Sequence, residues 1–393
     1  MSSEGAIHSE LRFESELCDY LVKHGWLYNA VKPLDAGYDK RLALFPEDAL
    51  GWVKDTQPET WEKFSKNHTK NPEEVFLRRL AEELDRDKPD LKQPWGTLGI
   101  LRHGFKDINA TFQMAQFAPA NSLNPKTWDD YRKNRLRVMR QVHYSENSGN
   151  SIDVVLFLNG LPIATLELKT DTTQNIEDAV KQYRYDRPPV DPMAKMPEPL
   201  LSFGKRALVH FAVSTDEVHM TTRLMGATTR FLPFNRGTPD GLGGAGAGNP
   251  SDDERGFSTA YFWHEVLARD AFLDVLGKFL SVETKEAKDA KTGKTRITAS
   301  LLFPRYHQWD AVTRLIGKTL TEGVGQTYLV QHSAGSGKSN TIGWLSHRLA
   351  SLHDAANAKM FTSIIVITDR RVLDQQLQDT IYQFEHQDRK SVV

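Results

Sequence analysis

The stretch IDVVLFLNGLPIATLELK, Ile152–Lys169, decides the fold. It holds two short apolar runs, Ile152–Leu158 and Pro162–Leu168, on either side of Asn159-Gly160. Apolar runs of this length around an Asn-Gly pair predict a β-hairpin, and their near-continuous apolar character predicts burial on both faces. Downstream, Ile176, Ala179, Val180 and Tyr183 recur at helical spacing, so a helix follows and stops near Pro188. Arg206–Val213 reads as a further strand. Strand, strand, helix, strand describes a small α/β core. Upstream, apolar spacing predicts helices around Glu14–His24, Thr60–Asn67 and Glu73–Asp85. The basic stretch Tyr131–Val142, with Arg132, Lys133, Arg135, Arg137 and Arg140, reads either as a solvated face or as a phosphate contact.

Charges at the ends of these apolar strands are costly to bury unless they pair or bind a metal. Asp153 opens the first strand and Glu167-Leu168-Lys169 closes the second. Alternation puts Glu167 and Lys169 on one face. A strict two-residue Asn-Gly turn would pair Asp153 with Leu166 and spoil the site. A three- or five-residue connection, centred on Gly160, would instead set Asp153 opposite Glu167, and is the expectation here. Asp153, Glu167 and the backbone carbonyl of Leu168 then make a hard oxygen site suited to Mg2+. The metal would lower the pKa of a bound water, the nucleophile. Lys169 would position that water or stabilise the developing charge. The pattern resembles the PD-(D/E)xK nuclease signature, although Ile152 stands where that signature has Pro.

A second constellation lies near the C-terminal end. Thr327–Gln331 reads as a buried strand, followed by His332-Ser333-Ala334-Gly335-Ser336-Gly337-Lys338-Ser339, and then by Ile342, Leu345 and Leu349 at helical spacing. Strand, glycine loop and helix make a P-loop, whose N–H groups and helix N-terminus cradle phosphates. Ser333, Ala334, Gly335, Ser336 and Gly337 form the cradle, Lys338 reaches the β- and γ-phosphates of ATP, and Ser339 ligates Mg2+. His332 takes the place of the first glycine of the motif. Upstream, Phe303-Pro304-Arg305-Tyr306-His307-Gln308 resembles the glutamine element with which helicases read adenine, Gln308 being the reading amide. Downstream, Ser363–Ile367 reads as a strand, and Thr368–Gln376 resembles the DNA-backbone element of superfamily 2 helicases. After Lys338 no Asp-Glu pair follows an apolar strand. The lobe is therefore expected to be truncated, with no ATP turnover of its own.

Composition sets the bounds. At 393 residues the chain has room for two or three domains, with 39% apolar and 26% charged residues, ordinary for a globular protein. No apolar run approaches the roughly 20 residues of a membrane span, so no membrane partner is expected. Met1–Ser9 lacks a secretory pattern and Cys18 is the one cysteine, which fits a cytoplasmic protein. The net charge of −1 is unexpected for DNA binding, although local patches decide that. Gly237–Gly248 reads as a flexible surface loop and Val282–Arg296, Lys-rich with few apolar residues, as a linker. The organisation predicted is a nuclease domain over 1–282, a linker over 283–296 and a first helicase lobe over 297–393. In fold class this is α/β, a PD-(D/E)xK core followed by an incomplete RecA-like lobe.

Nuclease hairpin first, glutamine element and P-loop second, is similar to the R (restriction) subunit of type I restriction–modification enzymes. Asp153–Pro162, Glu167-Leu168-Lys169, Phe231–Asn235 and Gln331–Thr341 carry the resemblance. It implies an ATP-driven translocase and Mg2+-dependent endonuclease that cuts unmodified double-stranded DNA, with methyltransferase and specificity subunits as partners. It also implies a glutamine and a tyrosine four residues apart on the helix after the hairpin. Here Gln182 and Tyr185 are three apart, and Lys181 stands four before Tyr185. Either Gln182 and Tyr185 share a helix face, or the alignment slips by one. Three alternatives remain: another helicase–nuclease fusion, of the type III kind; a nucleotide-binding motor with an inert hairpin; and a non-enzymatic interaction protein.

Overall fold

A computed structural model describes residues 3–29, 33–86, 95–170, 175–240, 242–288, 295–368, 378 and 381. Five helices open the chain: α1 (Ser3–Lys23), α2 (Pro46–Thr56), α3 (Pro58–Asn67), α4 (Pro72–Asp85) and α5 (Gly96–His103). Three of them start at proline, whose fixed φ and missing N–H suit a first helical position. A short hairpin, β1 (Phe105–Asp107) and β2 (Ala110–Phe112), and α6 (Pro125–Arg132) lead into the sheet. The helices predicted around residues 14–24, 60–67 and 73–85 correspond to α1, α3 and α4.

The sheet has six strands: β3 (Leu136–His143), β4 (Ser151–Leu158), β5 (Leu161–Leu168), β6 (Val209–Val213), β7 (Val218–Thr221) and β8 (Leu232–Pro233). They lie in sequence order, and only β5 and β6 run parallel. The parallel step is a crossover through α7 (Ile176–Lys181), which Asn175 and Asp178 open with a capping box. Nearly every residue of β4 and β5 is buried. Val154, Leu156 and Leu158 join the large core built with the N-terminal helices, whereas Val155 and Phe157 pack with Tyr183 and Leu200 on the opposite face.

The basic stretch 131–142 divides in two, with Arg132 and Lys133 exposed and the three arginines that follow engaged in ion pairs. It spans the end of α6 and most of β3. Arg137 makes a bidentate pair with buried Asp48, Arg135 pairs with Asp55, and Arg140 pairs with Glu14. Arg132 bonds Asp129, and Lys133 donates to the Asp55 carbonyl.

Beyond the sheet, residues 262–279 do not form one continuous α-helix. A π-turn at Phe262–Val266 precedes α8 (Arg269–Asp274), which runs into a second π-turn at Val275–Phe279. Of the segment 283–296, expected as a linker, residues 283–288 and 295–296 lie in paired antiparallel strands, and 289–294 lie outside the described residues. The strands β9 (Ser281–Lys288) and β10 (Thr295–Leu302) pair from Ser281↔Leu302 to Lys288↔Thr295. Ladder bonds hold this Lys-rich stretch in strands although it has few apolar residues to bury.

Two helices follow, α9 (Tyr306–Glu322) and α10 (Lys338–Ala350). The runs 327–331 and 363–367, expected as strands, take no regular secondary structure, with Leu329 91% and Ile367 89% exposed. A parallel strand needs a neighbour on its ladder and cover on both faces, and neither run has these among the described residues. Residues 369–377, most of the expected DNA-backbone element, lie outside the described residues. Helix α10 docks on the preceding fold. Trp344 is buried and its indole N–H donates to the Phe279 carbonyl at 2.8 Å, while Arg348 pairs with Asp274. Tyr306 of α9 meets Tyr261 edge-on, with ring centroids 5.1 Å apart.

Candidate active site

The hairpin turn has two residues, not three or five. Leu158 faces Leu161, and Asn159 and Gly160 take φ values of 49° and 79°, the left-handed pair of a type I′ turn. The turn is buried, which explains its exactness. Asn159 accepts from the Arg135 N–H and donates to the Met114 carbonyl, and the Gly160 carbonyl accepts from the Phe45 N–H at 2.8 Å. A Cβ on Gly160 would lie 2.5 Å from the Phe45 oxygen.

The register is nonetheless the one the chemistry needs, because a β-bulge restores it. Phe157 faces Pro162 but Leu156 faces Ala164, so Ile163 is an extra residue on β5. From there Val155 faces Thr165 and Val154 faces Leu166. The next position sets Asp153 opposite Glu167, on the face that Thr165 shares with Tyr183. The expectation failed in its means and held in its result: the compensating residue lies within the strand, not in the turn.

The two carboxylates confront one another. Glu167 is fully buried, and its pKa is raised well above the carboxylate range, first by burial and next by Asp153, with Arg187 opposing. Each carboxylate has one oxygen engaged. Asp153 Oδ2 accepts from the Leu168 N–H at 2.8 Å, and Glu167 Oε1 accepts from Arg187 Nε at 2.7 Å. Among the described residues, Glu167 Oε2 is buried without a partner, and Asp153 Oδ1 has a 3.4 Å contact from Gln141 Nε2. Two spare oxygens on facing, buried carboxyl groups suit a divalent cation, whose charge would favour their ionised forms. Lys169 is buried at the end of the same strand face, with its N–H bonded to the Val213 carbonyl at 2.9 Å. No group of three or more His, Cys, Asp or Glu placed to hold a metal occurs among the described residues. A metal there would draw on these two carboxylates and on backbone or water oxygen.

The Gln182–Tyr185 pairing does not hold. The chain from Gln182 to Asp186 is a π-turn, whose wider winding takes i and i+3 off a common face. Gln182 Oε1 is buried and without a partner, whereas Tyr185 is 66% exposed. The buried tyrosine is Tyr183, whose hydroxyl bonds Thr165 Oγ1 at 2.8 Å, and Thr165 in turn meets His210 Nδ1 at 2.7 Å. Burial pushes the His210 imidazole down to about 3, so it is neutral.

Sequence reading missed Arg187, Glu14 and Gln141. Glu14, from α1, accepts from Gln141 Nε2 at 2.8 Å, and the same nitrogen makes the long contact to Asp153. No local pattern marks Glu14, which reaches the site from a helix more than 120 residues away, as the separation of 127 from Gln141 attests. Arg187, just before Pro188, was read as the end of a helix.

In the glycine loop, Gly337 takes a left-handed conformation at the start of α10, as a P-loop requires. A Cβ there would lie 2.4 Å from Gln308 Nε2. Gln308 is not placed to read adenine. Its oxygen accepts from the Arg305 N–H at 2.9 Å, and its amide donates to the Ser336 and Gly337 carbonyls, so both ends are spent tying α9 to the loop. Lys338 folds back on the loop, donating to the Ser333 carbonyl at 2.8 Å. Ser333, Ala334 and Gly335 are exposed, and Ser339 is the second residue of α10. Buried polar atoms without partners cluster here: Ser336 Oγ, Thr341 Oγ1 and His332 Nδ1. Polar atoms left unmatched beside a helix N-terminus fit a phosphate-bearing ligand.

Comparison with known families bears on both regions. The family model for the type I restriction enzyme R protein N terminus matches residues 39–228, which contain Asp153, Glu167, Lys169 and Arg187. A second, for a SWI2/SNF2 ATPase, matches residues 307–392, which contain Gln308 and the whole loop through Ser339. Comparison with curated proteins gave no match. No helix among the described residues is long and apolar enough to cross a membrane.

Proposed function

We propose that Asp153, Glu167 and Lys169 are the DNA-cleaving centre of a type I restriction enzyme R protein, a reading supported by the match of residues 39–228 to the family model for that protein's N terminus. On this reading the chain hydrolyses phosphodiester bonds of unmodified double-stranded DNA, within a complex whose methyltransferase and specificity subunits choose the site. The observation that carries it is the facing pair of carboxylates with one spare oxygen each. A purely structural ion pair between Glu167 and Arg187 would not need Asp153 beside it, where it raises the cost of burying Glu167.

Mg2+ bound there would supply charge neutralisation at the phosphate and a water acidic enough to attack it. Asp153 and Glu167 hold and orient the ion, with the Leu168 carbonyl as a third oxygen. The Leu168 N–H keeps Asp153 turned toward Glu167. Lys169 places a positive charge beside the scissile phosphate and stabilises the charge that builds up as the bond breaks.

The ATPase match extends the reading to an ATP-driven motor that moves DNA past the nuclease. Ser333–Gly337 would wrap the phosphates with backbone N–H groups, Ser339 would serve Mg2+, and Lys338 would swing from the Ser333 carbonyl to the phosphates. The lobe is RecA-like on this proposal, and Gln308 shapes the loop without contacting adenine.

The test uses the complete enzyme with its partner subunits, ATP and Mg2+, on plasmid carrying an unmodified site. Asp153→Ala and Lys169→Ala should each abolish cleavage and leave ATP hydrolysis intact. Cleavage by a folded Asp153→Ala enzyme would overturn the assignment.

A further inference from the structure

Arg187 lies at hydrogen-bond distance from Glu167, and its placement is specific. It follows the π-turn Gln182–Asp186 directly, with its backbone leaving the helical region at φ −122°, ψ 61°. That extra-wide turn delivers the side chain inward, where the guanidinium is 9% exposed, against a Glu167 side chain with no exposure at all. Contact is through a single donor, Nε to Oε1 at 2.7 Å, while the same guanidinium uses Nη1 on the Asp186 carbonyl at 3.3 Å. A guanidinium normally takes a carboxylate with two parallel bonds. Here it takes one oxygen and leaves the other, Oε2, buried and without a partner. The Leu168 N–H does the same for Asp153, taking Oδ2 and leaving Oδ1.

We propose that Arg187 is a positioning residue: by holding Oε1 of Glu167 it presents Oε2, together with Oδ1 of Asp153, to a single divalent cation. This rests on the reading of Asp153 and Glu167 as metal ligands. Outer partners of this kind fix the orientation of a ligand, and their removal commonly costs roughly 10–100-fold in metal affinity or activity.

The test is direct Mn2+ binding by the purified chain, followed by paramagnetic resonance of the free ion, with no DNA or nucleotide present. Arg187→Gln should weaken Mn2+ binding roughly 10–100-fold. Arg187→Lys keeps the buried charge, and with it the fold, but lacks the lateral Nε–H; it should recover only part of the loss. Unfolding by guanidinium is measured alongside, so that loss of structure is separated from loss of the ion. If Asp153→Ala abolishes binding while a folded Arg187→Gln or Arg187→Lys binds as tightly as the parent, the positioning role is refuted and the metal site stands. If the parent chain itself binds no Mn2+, the metal-site reading fails and takes the proposal with it.

Discussion

Asp153→Asn should make the protein more stable while destroying its proposed activity. The substitution keeps the shape and the bond that matters for the hairpin, since an amide oxygen still accepts from the Leu168 N–H. It removes the charge facing Glu167 and brings an N–H₂ to the side where Glu167 Oε2 lies buried without a partner. A hydrogen bond to a charged buried group contributes about 1.5–3 kcal/mol, and relief of the like-charge contact acts in the same direction, so a gain of about 1–3 kcal/mol is expected. Its pH dependence follows from Glu167, whose folded pKa is raised, first by burial and then by Asp153. A carboxyl raised in this way stabilises the fold below its unfolded pKa, near 4.5, and that contribution is lost as pH rises through the folded value. The parent protein is therefore at its greatest disadvantage at neutral and higher pH, and the variant's gain should shrink toward pH 4.5. Guanidinium unfolding of both proteins, with a chelator present, across pH 5 to 8, measures this. A variant less stable than the parent at neutral pH, or a difference that does not change with pH, would refute the reasoning.

Gly160→Ala should cost about 2–5 kcal/mol in the same assay, combining a left-handed φ with a Cβ that overlaps the Phe45 backbone; a loss under about 0.5 kcal/mol would mean the turn is less tightly seated than described. Lys338→Ala should weaken binding of a fluorescent ATP analogue at least tenfold without altering Mn2+ binding at Asp153 and Glu167, since the loop lysine contributes a point charge to the phosphates.

The hairpin and the crossover helix were legible because apolar runs, an Asn-Gly pair and helical spacing are local signals. The pairing of Asp153 with Glu167 was legible only as a chemical requirement. Nothing in Leu161-Pro162-Ile163-Ala164 announces which residue will be left unpaired, since bulges are settled by packing against both faces of a sheet. Tyr183, read at helical spacing with Ile176, Ala179 and Val180, is buried as that spacing implies, whereas the π-turn takes Gln182 and Tyr185 off the common face that 3.6 residues per turn would give them. Arg187 and Glu14 were invisible for another reason: each acts on the site through a contact 20 or more residues distant, and neither lies in an unusual pattern. In the C-terminal region the glycine loop and its helix were readable, because loop and helix cap are local. The flanking strands were not, because a parallel strand exists only in the company of others.

The docking of α10 has a consequence for anyone wishing to cut the protein in two. The helix that opens at Lys338 is the same helix whose Trp344 and Arg348 are seated in the floor made by Phe279 and Asp274. A break in the chain before α9 would leave that floor uncovered on one piece and a buried tryptophan bare on the other, so the two regions are not exchangeable cassettes. Whatever shift a ligand imposes on the glycine loop must bend α10 against a fixed footing about two turns away, or lift it off.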